Sequence, residues 1–183
     1  MKKSLMLVSA ILALFFAVAC GDDSGGSDFT QEDAGKVYTA VFTEVAKVQT
    51  EVFTGLGSAP MGRLMQSDFT FEEDGSFSGS YENPQGGSAA IEGSGSYSED
   101  SFSFEFTITF TDYVSGDITL NGSITYSFEG AASSYTGTYS GSIDVTGAVE
   151  GTAEFDLTYS VDGASITIEG TVAGQEVGGS YGY

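Results

Sequence analysis

Few side chains in this chain could carry chemistry, and their types narrow the options quickly. The 183-residue sequence has no histidine, a single cysteine at position 20, and 5 Lys and Arg against 26 Asp and Glu. After Lys2 and Lys3 the only cations are Lys36, Lys47 and Arg63. A serine or threonine nucleophile therefore lacks the imidazole or amine that normally activates it. Paired carboxylates remain, since Glu154 and Asp156 lie two apart and share a face if their segment is a strand. Two acids whose pKa values are pushed apart can hydrolyse a glycosidic bond. Nothing distinguishes this pair from other acids on a solvated strand face, so no catalytic residue and no enzyme activity is expected. Glu72-Glu73-Asp74 and the stretch from Asp112 to Asp117 gather oxygen atoms but lack the spaced ligands of a calcium loop. They read as solvated turns, and neither a metal nor a cofactor is expected.

The chemistry left is acylation of a thiol. Lys2 and Lys3 are followed by apolar and small residues from Leu5 to Phe16, and then by small residues at Ala17 and Ala19. That is the three-part layout of an export signal, and it is too short to span a bilayer comfortably. Cleavage after Ala19 puts Cys20 at the new N-terminus, the one position where its thiol can take a lipid. At these residues the chain resembles the bacterial lipoproteins, whose lipobox ends in a small residue and then the modified cysteine, here Ala19 and Cys20. The family usually carries Leu at the place of Ala17. The resemblance covers the signal alone. It implies lipidation of Cys20 and a place in the bacterial cell envelope. Because Gly21 rather than Asp follows the cysteine, it favours the outer membrane.

Residues 1–19 are thus expected to be a signal peptide and 20–27, acidic and rich in Gly and Ser, a flexible tether. About 160 residues follow the cleavage point, enough for one domain with a sizeable core, here 28–183. The formal net charge is −21, and no Lys or Arg occurs after Arg63. Phosphate backbones and anionic lipid surfaces are recognised by cations, so neither nucleic acid nor an acidic membrane surface is an expected partner.

Two periodicities organise this domain. From Asp28 to about Thr54, Val37, Val41, Val45, Val48 and Val52 recur at steps of three or four, flanked by Tyr38, Phe42 and Phe53, as on one stripe of a helix. Thr30 with Glu32 and Asp33 is a fitting start, and Gly55, Gly57 and Pro60 a fitting end. Glu44 with Lys47, and Lys47 with Glu51, stand at surface-pair spacing and are expected on the opposite side. Ser58 to Gln66 reads as a linker.

Alternation then takes over. Phe102, Phe104, Phe106, Ile108 and Phe110 alternate with Ser103, Glu105, Thr107 and Thr109, as in an antiparallel strand with one buried face. The same pattern recurs on both sides, separated by turn residues such as Asp74-Gly75, Asn83-Pro84, Ser115-Gly116 and Asp162-Gly163. About nine strands in a meander result. Asn121-Gly122 is a hairpin signal, but alternation passes through it in phase, which places it mid-strand. A short repeat, Gly then Ser or Thr then an apolar residue, puts glycines on the aromatic face, as at Gly95, Gly122, Gly137, Gly141 and Gly170. Glycine inside a strand points to sharp curvature or close approach. Nine strands at about 4.8 Å span about 43 Å, against about 10 Å for a helix. The sheet must curl. The expected fold is mostly β: a curved antiparallel meander, half-barrel or barrel-like, with one long amphipathic helix on its concave face. This layout is similar to the half-barrels of bacterial lipoprotein carriers.

Three functions fit. The first is a lipid-anchored, non-catalytic envelope protein acting as a structural or interaction module, with another envelope protein as partner. The second is a carrier holding an apolar ligand or lipid on the concave aromatic face. The third is a small transmembrane β-barrel, since Tyr181-Gly182-Tyr183 resembles the closing strand of outer-membrane barrels. Against the third, the acids Glu92, Glu105, Asp144, Glu154, Asp156 and Glu169 lie opposite the aromatics and would line a lumen without cations.

Overall fold

Thr30 sets the start of the helix. Its hydroxyl accepts the Asp33 backbone N–H at 3.2 Å and donates to Asp33 Oδ2 at 2.6 Å, while Oδ2 accepts the Thr30 N–H at 3.4 Å. The exchange satisfies donors that the first turn leaves without intrahelical partners, a capping box closed by Asp instead of Glu. The bond from Thr30 holds the Asp33 carboxyl below its ordinary value. Phe29, just before the cap, is buried, as is Ala34 in the next turn. They hold the two positions of a hydrophobic staple and belong to one core, with the Phe29 ring lying against Gly151. Helix α1 runs Gln31–Gly57, beginning three residues later and ending three residues later than the periodicity indicates.

The computed structural model describes residues 29–57, 67–98, 100–131 and 134–182. The signal, the tether with Cys20, Asp28 and residues 58–66 lie outside these. The strands are β1 (Ser67–Phe71), β2 (Ser76–Glu82), β3 (Ser88–Tyr97), β4 (Phe102–Ser115), β5 (Ile118–Ala131), β6 (Ser134–Gly147), β7 (Gly151–Asp162), β8 (Ser165–Val172) and β9 (Gln175–Gly182). All nine form one sheet in sequence order, each antiparallel to the next, with β1 and β9 at its edges. The expected meander is therefore the fold, and Asn121-Gly122 lies inside β5.

Helix α1 touches β1, β4 and β8. In a flat sheet β1 and β8 would stand about 34 Å apart, more than three helix widths. At 27 residues α1 is about 40 Å long, and it reaches both by running across the strands of the sheet. Val37, Val41, Val45 and Val48 are 0–1 % exposed and share one core with Ile91, Ile108, Leu120, Ile124, Ile143, Ala153 and Leu157. Each valine so buried contributes about 1.5 kcal/mol or more relative to exposure. This offsets the low helix propensity of a β-branched stripe.

Glycines permit the curl. Gly122 has φ 125°, and a Cβ there would strike the Ser142 carbonyl oxygen of β6. Gly122 pairs with Ile143 and Gly141 with Ile124, which places two glycines diagonally across the β5–β6 ladder. Only a residue without Cβ fits such a bend.

Candidate functional site

Among the described residues one charged side chain lies in the core: Glu44 is 4 % exposed. Its spacing from Lys47 suggests a surface pair, but the structure corrects that placement. Glu44 is three residues after Val41 and seven after Val37, and so falls within the apolar stripe. Lys47 still reaches it from the rim, Nζ to Oε1 at 2.7 Å, with its own side chain 53 % exposed.

Two hydroxyls from the sheet complete the setting. Tyr113 donates to Glu44 Oε2 at 2.8 Å, and Ser115 Oγ donates to Oε1 at 2.9 Å. Both belong to the end of β4, where simple alternation would turn them away. The inward residues Phe106, Ile108 and Phe110 are even-numbered, so Asp112 and Val114 should follow them inward. Instead Thr111 and Asp112 both lie between the pairs Phe110–Gly122 and Tyr113–Leu120, opposite Asn121 alone. This bulge shifts the phase by one and brings Tyr113 and Ser115 onto the helix face.

The bulge is held by named partners. Asp112 takes φ 47°, a conformation that Asp tolerates better than most residues. Its N–H donates to Asn121 Oδ1 at 2.8 Å, and Asn121 Nδ2 donates to Asp112 Oδ1 at 3.2 Å. From the β2–β3 turn, Asn83 Nδ2 donates to the Val114 carbonyl at 2.6 Å, and the Val114 N–H donates to the Gly86 carbonyl at 3.0 Å. A Cβ at Gly87 would collide with the carbonyls of Thr111 and Asp112, so that turn rests directly on the bulge.

Burial, then the bond to Glu44 and its charge, then Tyr81, push the Tyr113 hydroxyl above the usual tyrosine value. It stays a neutral donor. Both Glu44 oxygens accept from neighbours, so the cluster fastens α1 to β4. Tyr113 and Ser115 were hidden from sequence reading by the bulge; the signal that marks it is the break of even-numbered apolar positions after Phe110.

A second region lies further along the concave face. Phe106 stacks on Tyr126 with centroids 4.9 Å apart, Tyr126 meets Tyr139 edge-on at 4.3 Å, and Phe42 of α1 meets Tyr139 at 5.0 Å. Tyr139 leads to Tyr159 at 5.0 Å, Tyr159 to Tyr135 at 6.0 Å, and Tyr135 to Phe102 at 5.7 Å. Tyr159 lies across Gly137, where a Cβ would overlap its ring. Phe102, Phe104, Phe128, Tyr135 and Tyr159 are half-buried. The Tyr126 hydroxyl is buried without a hydrogen-bond partner. Burial is the first cause that raises Tyr126, Tyr139 and Tyr159 above the usual value.

The remaining candidates are dispersed. Glu154 and Asp156 are exposed on β7, and Glu154 Oε1 accepts from Ser142 Oγ at 3.0 Å. Asp74 accepts from the Ser76 N–H and hydroxyl at 2.9 and 2.6 Å, closing a turn. Among the described residues no group of three metal-ligating side chains forms, and no helix is long and apolar enough to cross a membrane. An open groove of about 540 Å³ runs between α1 and the β4–β5 turn, lined by Gln31, Lys36, Thr39, Asp117 and Ile118. Cys20, the expected lipidation site, lies outside the described residues. Comparison with known families, characterised proteins and solved structures finds no match.

Proposed function

We propose that this chain is a non-catalytic protein of the bacterial cell envelope, anchored by lipid on Cys20 and favouring the outer membrane, whose domain is a structural or interaction module. The observation that carries the module reading is the helix seated on the concave face. The valine stripe of α1 occupies it at 0–1 % exposure, and the helix is fastened there through Glu44, Tyr113 and Ser115. A helix held by a buried carboxylate with two donors from the sheet is costly to lift, because opening strands polar groups in the core. The same arrangement weighs against a transmembrane barrel, since the face that would meet lipid is taken by α1. The anchor is supported by the signal layout and the position of Cys20. Radiolabelled fatty acid should enter the wild type and not Cys20→Ala; equal labelling of both would sink the anchor.

One observation favours the carrier reading. The half-buried aromatic rings and the unpaired Tyr126 hydroxyl would suit an apolar ligand with one polar group. Native mass spectrometry of the full chain separates the two readings. The module reading expects no mass beyond the mature protein and the acyl groups on Cys20, and a non-covalently bound lipid would move the assignment to a carrier.

A further inference from the structure

Strands β8 and β9 are joined by Ala173 and Gly174, both at positive φ, 51° and 77°, which is the two-residue turn of a tight hairpin. Such a turn is closed by a hydrogen-bonded pair, here Val172 with Gln175. Residues 175, 177, 179 and 181 therefore bond to β8, while 176, 178, 180 and 182 point their N–H and C=O groups away. The helix bears this out at one position: Gln31 Nε2 donates to the outward carbonyl of Glu176 at 3.3 Å. Beyond it, Gly178, Ser180 and Gly182 face the open edge, and among the described residues no strand but β8 pairs with β9.

Sheet edges are normally blunted by Lys, Pro or a bulge. The run Gln175–Gly182 has no Lys or Pro, its register is unbroken, and it carries one charge, Glu176. The glycines also leave lanes open to the next strand. Gly178 pairs with the exposed Glu169 on the outer face, and Gly179 pairs with the half-buried Ile168 on the inner face. A side chain opposite Gly178 on an added strand would start about 9.6 Å from the Glu169 backbone with no side chain between them. Lys or Arg spans that gap to the carboxylate, and an apolar side chain opposite Gly179 packs over it onto Ile168.

We infer that the free edge of β9 docks an extended segment of a partner protein in which basic and apolar residues alternate. The inference rests on the interaction-module reading. Charge favours such a partner over a second copy of this chain. Every residue after Arg63 is neutral or acidic, so pairing two β9 edges brings no cation to Glu169 or Glu176. Main-chain bonds would supply affinity and the alternating side chains would supply selectivity.

The test is titration of the full chain with a capped peptide of about eight alternating Lys and Val residues. A peptide of the same composition in blocks, and one of alternating Glu and Val, serve as comparisons. The alternating basic peptide should bind at least roughly tenfold tighter than either. Ser180→Pro removes one outward N–H, keeps the backbone ladder to β8 and loses the exposed 3.2 Å hydroxyl contact with Thr167, and should weaken binding by about tenfold or more. Glu169→Gln should weaken it less and flatten its salt dependence. If Ser180→Pro does not fold, Ser180→Lys keeps every backbone group and should shift preference toward the acidic peptide. Equal affinity for the alternating and blocked peptides overturns the inference, as does indifference to the Ser180 variants. Dimerisation without peptide that Ser180→Lys abolishes assigns the edge to a second copy and overturns it too. A protein whose core holds no lipid and which binds no peptide sinks the edge alone, whereas non-covalent lipid in the core sinks the module reading whatever the peptides do.

Discussion

Tyr113 and Glu44, separated by 69 residues, meet through a 2.8 Å hydrogen bond inside the core. Replacing Tyr113 with Phe deprives a buried carboxylate of a donor and should destabilise the domain by about 1–3 kcal/mol in urea melts. Tyr113→Phe combined with Glu44→Met should cost less than the sum of the single changes, because the pair is then replaced by apolar groups of similar shape. Additive losses would show that the bond does not hold helix to sheet.

Alkaline pH should unfold the protein cooperatively. Burial raises Tyr113, Tyr126, Tyr139 and Tyr159 above the ordinary tyrosine value in the fold. The folded state therefore retains protons that the unfolded state releases above about pH 10. The stability they contribute is complete below that pH and is lost as pH rises toward the folded values. Tyrosinate absorbance from these residues should appear together with loss of β-sheet circular dichroism. Ionisation of all ten tyrosines with the sheet intact would contradict it.

Two glycines on the same face should differ sharply. Gly122→Ala forces a Cβ against the Ser142 carbonyl at a φ of 125°, and backbone cannot yield cheaply, so a loss of about 2 kcal/mol or more is expected. Gly137→Ala meets the outer end of the half-buried Tyr159 ring, which can swing aside, and should cost about 1 kcal/mol or less. Thermal melts of the two variants should separate accordingly; equal losses would mean that sheet curvature does not depend on Gly122.

Removing residues 29–57 should uncover the concave face, since the described part of the α1 stripe has no other neighbour than that sheet. The expected result is aggregation or strong binding of a hydrophobic dye. A monomeric, cooperatively folding deletion variant would make α1 an appendage.

The strands and the helix are legible because each keeps one period over most of its length, and phase places Asn121-Gly122 inside β5. What that reading could not supply was the consequence of an extra residue. One bulge after Phe110 reassigns every later side chain of β4, so Tyr113 and Ser115 became core partners with no local change of composition. Asn121 looked like turn chemistry and is instead the bond partner of the bulge. Glu44 differs: its spacing to Lys47 suits a surface pair, but its steps of three from Val41 and seven from Val37 set it in the apolar stripe.

The meander also sets an order in time. Every strand pairs with its neighbour in sequence, so the sheet can assemble by successive hairpins with short loops to close. The start of α1 has its partners at the far end of the chain: Gln175 donates to the Phe29 carbonyl across 146 residues, and Gln31 to the Glu176 carbonyl across 145. Synthesis runs from the N-terminus, so the helix emerges first and the strands that receive its start emerge last. Glu44 can meet Tyr113 and Ser115 as soon as β4 is made, but the first turn of α1 waits for β9, which makes the seating of that turn a late step of folding.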